Sequence, residues 1–107
     1  MEKKAEYHII EPKLLVEMIE NKESFYLVDV REKDEYDWGH IESSINISLS
    51  VISQRAESSF DNKDSKIVVY CRSGARSRQA CKELIYLGYT NVYDLGGIIS
   101  YPYPIIK

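Results

Sequence analysis

The sequence predicts an α/β fold, a parallel sheet with helices on both faces, and three observations carry that prediction. Short β-branched or aromatic runs alternate with amphipathic stretches from one end of the chain to the other. Strands alternating with helices imply crossover connections, which put strands parallel and cover both faces of the sheet. There is no internal repeat, low-complexity tract or evident linker, and 107 residues fit a single domain spanning residues 1–107 with one real core.

Each element has its own signal. Residues 7–10, Tyr-His-Ile-Ile, form a short strand candidate. Pro12 opens a helix as a first-turn residue, with Leu14, Leu15, Met18 and Ile19 at helical spacing. Residues 25–30 read as a buried strand whose end bears charge. Residues 32–38 make a polar helical turn or two stopped by Gly39, and 45–47 a weak strand. A helix is expected over 51–60, with Val51, Ile52 and Phe60 inward. The clearest strand is 66–70, Lys-Ile-Val-Val-Tyr, bounded by a polar turn at 61–65. A second clear helix is predicted over 77–87, its inward stripe Ala80, Cys81, Leu84, Ile85 and Leu87, with Gly88 as cap. Residues 91–95 form the last strand, which Gly96-Gly97 should end.

Composition narrows the functional classes. Fourteen basic against seventeen acidic residues give a formal charge of -3, which argues against general nucleic-acid affinity. No apolar run approaches a membrane span, and no apolar stretch of signal-peptide length follows the N-terminal lysines, so a cytoplasmic protein without membrane association is expected. Two cysteines are too few for a secreted disulfide scaffold, and both should be thiols.

Cys71 is the candidate nucleophile. It follows the strongest strand and opens the segment Cys71-Arg72-Ser73-Gly74-Ala75-Arg76 ahead of a helix. In open α/β sheets, ligands bind beyond the carboxyl ends of the strands, where this loop must lie. The positive end of the helix, the Arg72 and Arg76 guanidiniums, and a backbone curl permitted by Gly74 all favour an anion there. Such surroundings produce a thiolate at neutral pH. The competing reading is a small buried strand-end residue, since free cysteines are commonly just that. Cys81, on the apolar stripe of the helix, reads as a packed core thiol, with a resolving role for it left open.

Three groups of residues together resemble the rhodanese-like family of single-domain sulfurtransferases. Asp29-Val30-Arg31-Glu32, Glu35-Tyr36, Gly39-His40-Ile41 and Ile45-Asn46-Ile47 are similar to its first signature. Residues 67–77, Ile-Val-Val-Tyr-Cys-Arg-Ser-Gly-Ala-Arg-Ser, are similar to its active-site signature, and Gly88-Tyr89, Asn91-Val92 and Leu95-Gly96-Gly97 to its closing segment. The resemblance implies about five parallel strands and Cys71 as the persulfide-forming residue. It implies transfer of sulfur from thiosulfate, or from a protein persulfide donor, to cyanide or a thiol, with no metal and no organic cofactor. Backbone N–H groups of Arg72, Ser73, Gly74, Ala75 and Arg76 would stabilise the persulfide. The Arg72 and Arg76 side chains would hold the donor, and Arg76 would also bond within the loop. Ser44 and Ser48 stand where the family often has alanine and proline, and Tyr101 where it often has tryptophan. With few residues after Tyr101, a final helix must be short or absent.

Other readings were weighed beside this one. Phosphatase and arsenate-reductase branches share the fold, but their loops place five residues between cysteine and arginine. Here four separate Cys71 from Arg76, a ring that suits one sulfur atom better than a tetrahedral oxyanion. His8, His40, Cys71 and Cys81 lack zinc-ligand spacing. A structural role near a turn suits His40 better than that of a catalytic base. Asp29 and Arg31, at a strand's carboxyl end, are read as supporting residues: they either flank the pocket or brace the loops as an ion pair. The tyrosines crowding the C-terminal third are mostly packing. A non-enzymatic regulatory or sulfur-relay module is the alternative function, and the intact Cys71 loop favours catalysis over it.

Overall fold

The computed structural model describes residues 6–107. Five parallel strands form one sheet in the order β1-β5-β4-β2-β3. They are β1 His8–Ile9, β2 Tyr26–Asp29, β3 Ile45–Asn46, β4 Ile67–Cys71 and β5 Val92–Gly97. The helices are α1 Pro12–Glu20, α2 Lys33–Trp38, α3 Ile52–Ser59 and α4 Ala75–Tyr86. Strand β4 lies at the centre, paired to β2 on one side and β5 on the other, and every one of its residues is buried. Its unbroken apolar run is what a strand covered on both faces requires.

Side chains alternate across β4 and divide the interior into two cores. Ile67, Val69 and Cys71 pack with Ile52 and Ala56 of α3 and with Ala80, Cys81 and Leu84 of α4. Val68 and Tyr70 face the other way, onto Leu15 and Met18 of α1 and onto Ile41. The expected α/β architecture, helices on both faces of a five-stranded parallel sheet, is therefore the observed one. None of the described helices is long and apolar enough to cross a membrane.

Three boundaries differ from the sequence expectation. Helix α4 begins at Ala75, two residues early, because Gly74 takes φ +112° and turns the chain into the helix at once. Strand β5 runs through Gly96 and Gly97 instead of stopping before them. Val69 pairs with Asp94 and Tyr70 with Gly96, which leaves Leu95 as the extra residue of a bulge and keeps Gly97 paired with Cys71. The segment expected as a helix from Val51 starts as a 3-10 turn, Leu49–Val51, and becomes α-helical at Ile52; Val51 is only half-buried. After β5 comes another short 3-10 turn, Ile98–Ser100. The tail beyond it pairs back on the body, where His40 and Ile106 exchange two backbone hydrogen bonds of 2.8 Å.

Candidate active site

Cys71 is the last residue of β4, and only Arg72, Ser73 and Gly74 separate it from α4. So short a connection folds back on the strand end. The Gly74 N–H donates to Cys71 Sγ at 3.0 Å, while the Gly74 carbonyl accepts from Ser77 Oγ and from the Arg78 N–H, each at 3.1 Å. The opening N–H groups of a helix have no partner within it, so α4 presents the positive end of its dipole beside the sulfur. Cys71 itself is 1% exposed, at the bottom of this turn.

Strand β5 supports the loop from the side. A Cβ on Gly97 would collide with the Arg72 carbonyl oxygen and lie 2.6 Å from Ser73 Cα, so the strand's backbone lies directly against the loop. The Ile99 N–H then donates to the Arg72 carbonyl at 3.2 Å. The second closing glycine thus makes room for the loop rather than ending a strand.

The two arginines part company. Arg72 is exposed and forms no ion pair among the described residues. Arg76, expected to bond within the loop and hold a donor, instead donates Nη1 to Glu35 Oε1 at 2.6 Å and Nη2 to Glu35 Oε2 at 2.9 Å. The early start of α4 explains this. Arg76 falls in the first helical turn, and α2 offers a carboxylate there. Its hydrogen bonds pull the Glu35 carboxyl down to about 2, against the cost of burial, with help from the Glu32 N–H that donates to Oε1 at 2.9 Å. The same contact raises Arg76 further.

Asp29 and Arg31 form the brace that one reading of the sequence allowed. Arg31 Nη2 lies 2.7 Å from Asp29 Oδ2, Nε lies 3.0 Å from Oδ1, and both residues are buried. Arg31 Nη2 also donates to the Gly39 carbonyl at 2.6 Å, and Asn46 Nδ2 donates to the carbonyls of Asp29 and Arg31. Ser73 and Ala75 are exposed at the turn. Cys81 lies fully buried on α4, where burial pushes its thiol above the usual cysteine range. His40 stacks on Tyr36 at 3.8 Å and donates Nδ1 to the Tyr36 carbonyl at 2.8 Å, a structural assignment.

A groove of about 390 Å³ runs beside the loop, lined by Arg72, Arg31 and Glu35 together with Trp38, Gly39, Ile98, Ile99 and Ile105. Glu35 was named only as part of the family resemblance, Gly97 there and as a strand end, and Trp38 only as the end of a helical turn; none was given a place in the site. Glu35 also stands three residues after Glu32 at the start of α2, the spacing of a capping box.

The fold and the site define an α/β protein with the Cys71 thiol in a helix-capped loop at the carboxyl end of its central strand. The chain belongs to the rhodanese-like domain family, which matches residues 11–101. Thiosulfate sulfurtransferase PspE of Escherichia coli is 34% identical over 80 residues, covering 75% of this chain and 77% of PspE. A sulfurtransferase of Allochromatium vinosum is 39% identical over 93 residues, covering 86% of this chain and 85% of the relative. The tRNA uridine(34) hydroxylase of Photorhabdus laumondii is 37% identical over 90 residues; the match covers 79% of this chain but only 25% of that protein, so the chain spans a quarter of its length. Among solved structures, a rhodanese with anions from E. coli superposes with a TM-score of 0.73 at 32% identity, covering 78% of this chain and 99% of that one. The Alr3790 protein from Anabaena gives a TM-score of 0.84 at 26% identity, covering 91% and 90%.

Proposed function

We propose that this chain is a sulfurtransferase that carries a sulfane sulfur on Cys71. The seat of that residue carries the reading: a thiol at the end of the central strand, its Sγ 3.0 Å from the Gly74 N–H, at the N-terminal end of α4. Such a seat stabilises negative charge on sulfur, both on a thiolate and on the persulfide that replaces it. The sulfurtransferases among its relatives support the same chemistry.

Thiosulfate is the donor we favour. The Cys71 thiolate attacks the outer sulfur, a new S–S bond forms, and the bond to the sulfonate sulfur breaks to release sulfite. Cyanide or a thiolate then takes the terminal sulfur and returns Cys71 to the thiolate. Arg72, free of any described ion pair, steadies the anionic end of the donor. The 1% exposure of Cys71 favours a small anion over a bulky protein donor. A phosphatase reading loses ground because the Arg76 guanidinium is already engaged by Glu35.

Incubation with thiosulfate followed by mass spectrometry should show one added sulfur on Cys71, and thiosulfate:cyanide transfer should vanish in Cys71→Ser. A wild type that takes up sulfur only from a protein persulfide would make the chain a relay. One that takes up none would reduce it to a binding module.

A further inference from the structure

We infer that the groove beside the Cys71 loop is the seat of the sulfur acceptor, and that this acceptor is a small organic thiol with an apolar or aromatic body and an anionic substituent. The inference rests on the sulfur-transfer reading above. At about 390 Å³, the groove is within the range of about 300–1,000 Å³ typical of small-molecule sites. Cyanide and thiosulfate are a few atoms each, with no apolar body, and leave such a space unused.

The walls name the body of the occupant. Trp38 at the end of α2, Ile98 and Ile99 after β5, and Ile105 of the tail all line the concavity. Trp38 is 72% exposed and Ile99 63% exposed, so large apolar side chains stand in water within a recess. An aryl or branched alkyl group covers them.

The charges name its substituent. Three charged side chains line the groove, and two of them are neutralised internally: Arg31 by Asp29 and Glu35 by Arg76. Arg72 is left as the unbalanced charge of the lining. Because Arg72 directly follows Cys71, an anion held there keeps its thiol near the loop. The thiol of this acceptor attacks the terminal sulfur of the anionic Cys71 persulfide and gives that sulfur its proton. The S–S bond breaks, Cys71 leaves as the thiolate, and the product is an organic persulfide that keeps the proton. No outside oxidant or reductant enters.

Trp38 is the chain's one tryptophan, so its fluorescence reports on the groove without any chemistry. Titration with para-methylbenzoate, which has the body and the charge but no thiol, should quench it saturably, and Arg72→Met or Ile99→Ser should weaken that binding roughly tenfold. With thiosulfate as donor, Trp38→Ala should lower kcat/KM for para-(mercaptomethyl)benzoate, relative to cyanide, by roughly tenfold. No saturable quenching into the millimolar range, or an unchanged thiol-to-cyanide ratio in Trp38→Ala, overturns the proposal even if cyanide is consumed normally. A wild type that binds the benzoate but passes sulfur to no acceptor overturns the sulfur-transfer reading, and the acceptor role with it.

Discussion

Glu35 and Arg76 meet through two parallel hydrogen bonds of 2.6 and 2.9 Å, one carboxylate oxygen to each guanidinium nitrogen. The contact joins α2 to the first turn of α4 across 41 residues of sequence. It therefore fixes the helix whose open end faces Cys71.

This pair gives the protein an acid limb. The folded Glu35 carboxyl titrates at about 2, below the value of about 4.3 of an unfolded glutamate. A lowered carboxyl stabilises the fold fully above the unfolded value, and that contribution is lost as pH falls through the window from about 4.3 to about 2. The side chains are 34% and 27% exposed, so screening reduces the contribution to about 1–2 kcal/mol. Glu35→Gln should lose that much at pH 7 and show a shallower decline below pH 5 in urea unfolding. A decline as steep as that of the wild type would trace the acid sensitivity to another carboxylate.

Gly74 and Gly97 shape the same loop for different reasons, and alanine should separate them. At Gly74 a Cβ meets nothing within 4 Å, but the residue holds φ +112°, so alanine pays only for backbone strain, about 1–2 kcal/mol. The strain relaxes by moving the N–H that donates to Cys71, so sulfur uptake should fall more than stability. Gly97→Ala instead drives a methyl group into the Arg72 carbonyl, and one of two backbones must shift, at about 1–3 kcal/mol. Thermal unfolding and persulfide formation measured together should show the larger activity-to-stability ratio of losses for Gly74→Ala.

The sequence made the sheet legible because its central strand is apolar without interruption and its helices carry one-sided stripes. The place of Cys71 at the end of the central strand was legible for a similar reason, since strand, cysteine, glycine and helix follow one another closely. What escaped was contact across long separations. Nothing near Arg76 announces that its partner lies at Glu35, and bonding within the loop was only what the family resemblance implied for it. Gly97 escaped differently. A Gly-Gly pair ordinarily marks a strand's end, and only the close approach of Arg72 shows why the strand continues through it. Trp38 and Ile99 carry no signal of their own in the sequence, because only the fold sets them in one recess.

The Asp29–Arg31 pair should prove asymmetric to mutation. Both side chains are nearly sealed from water, at 0% and 7% exposure, and each satisfies the other. Arg31→Met leaves a buried carboxylate without its cation and strips a donor from the Gly39 carbonyl, a loss of about 3–5 kcal/mol. The double variant Asp29→Leu, Arg31→Met removes both charges and should recover a substantial part of that loss. Urea denaturation of the two variants checks this. A double variant less stable than Arg31→Met would show that the backbone bonds made by the pair matter more than its charge.

Cys81 should be dispensable for sulfur transfer while Cys71 is not. Both thiols belong to one core, but the Gly74 N–H reaches Cys71 Sγ, whereas Cys81 is packed on the inward face of α4, its thiol driven up by burial. A group that resists ionisation is a poor nucleophile toward either a donor or a persulfide. Cys81→Ala removes one buried sulfur and leaves a small cavity, so it should cost about 1–2 kcal/mol in stability while persulfide formation on Cys71 and transfer to cyanide remain within about twofold. Iodoacetamide under native conditions should modify Cys71 well ahead of Cys81, and prior loading with thiosulfate should shield the Cys71 sulfur as a persulfide whose modified form retains the added sulfur. Loss of transfer in Cys81→Ala, with the fold intact by circular dichroism, would give the second thiol a part in returning Cys71 to its starting state.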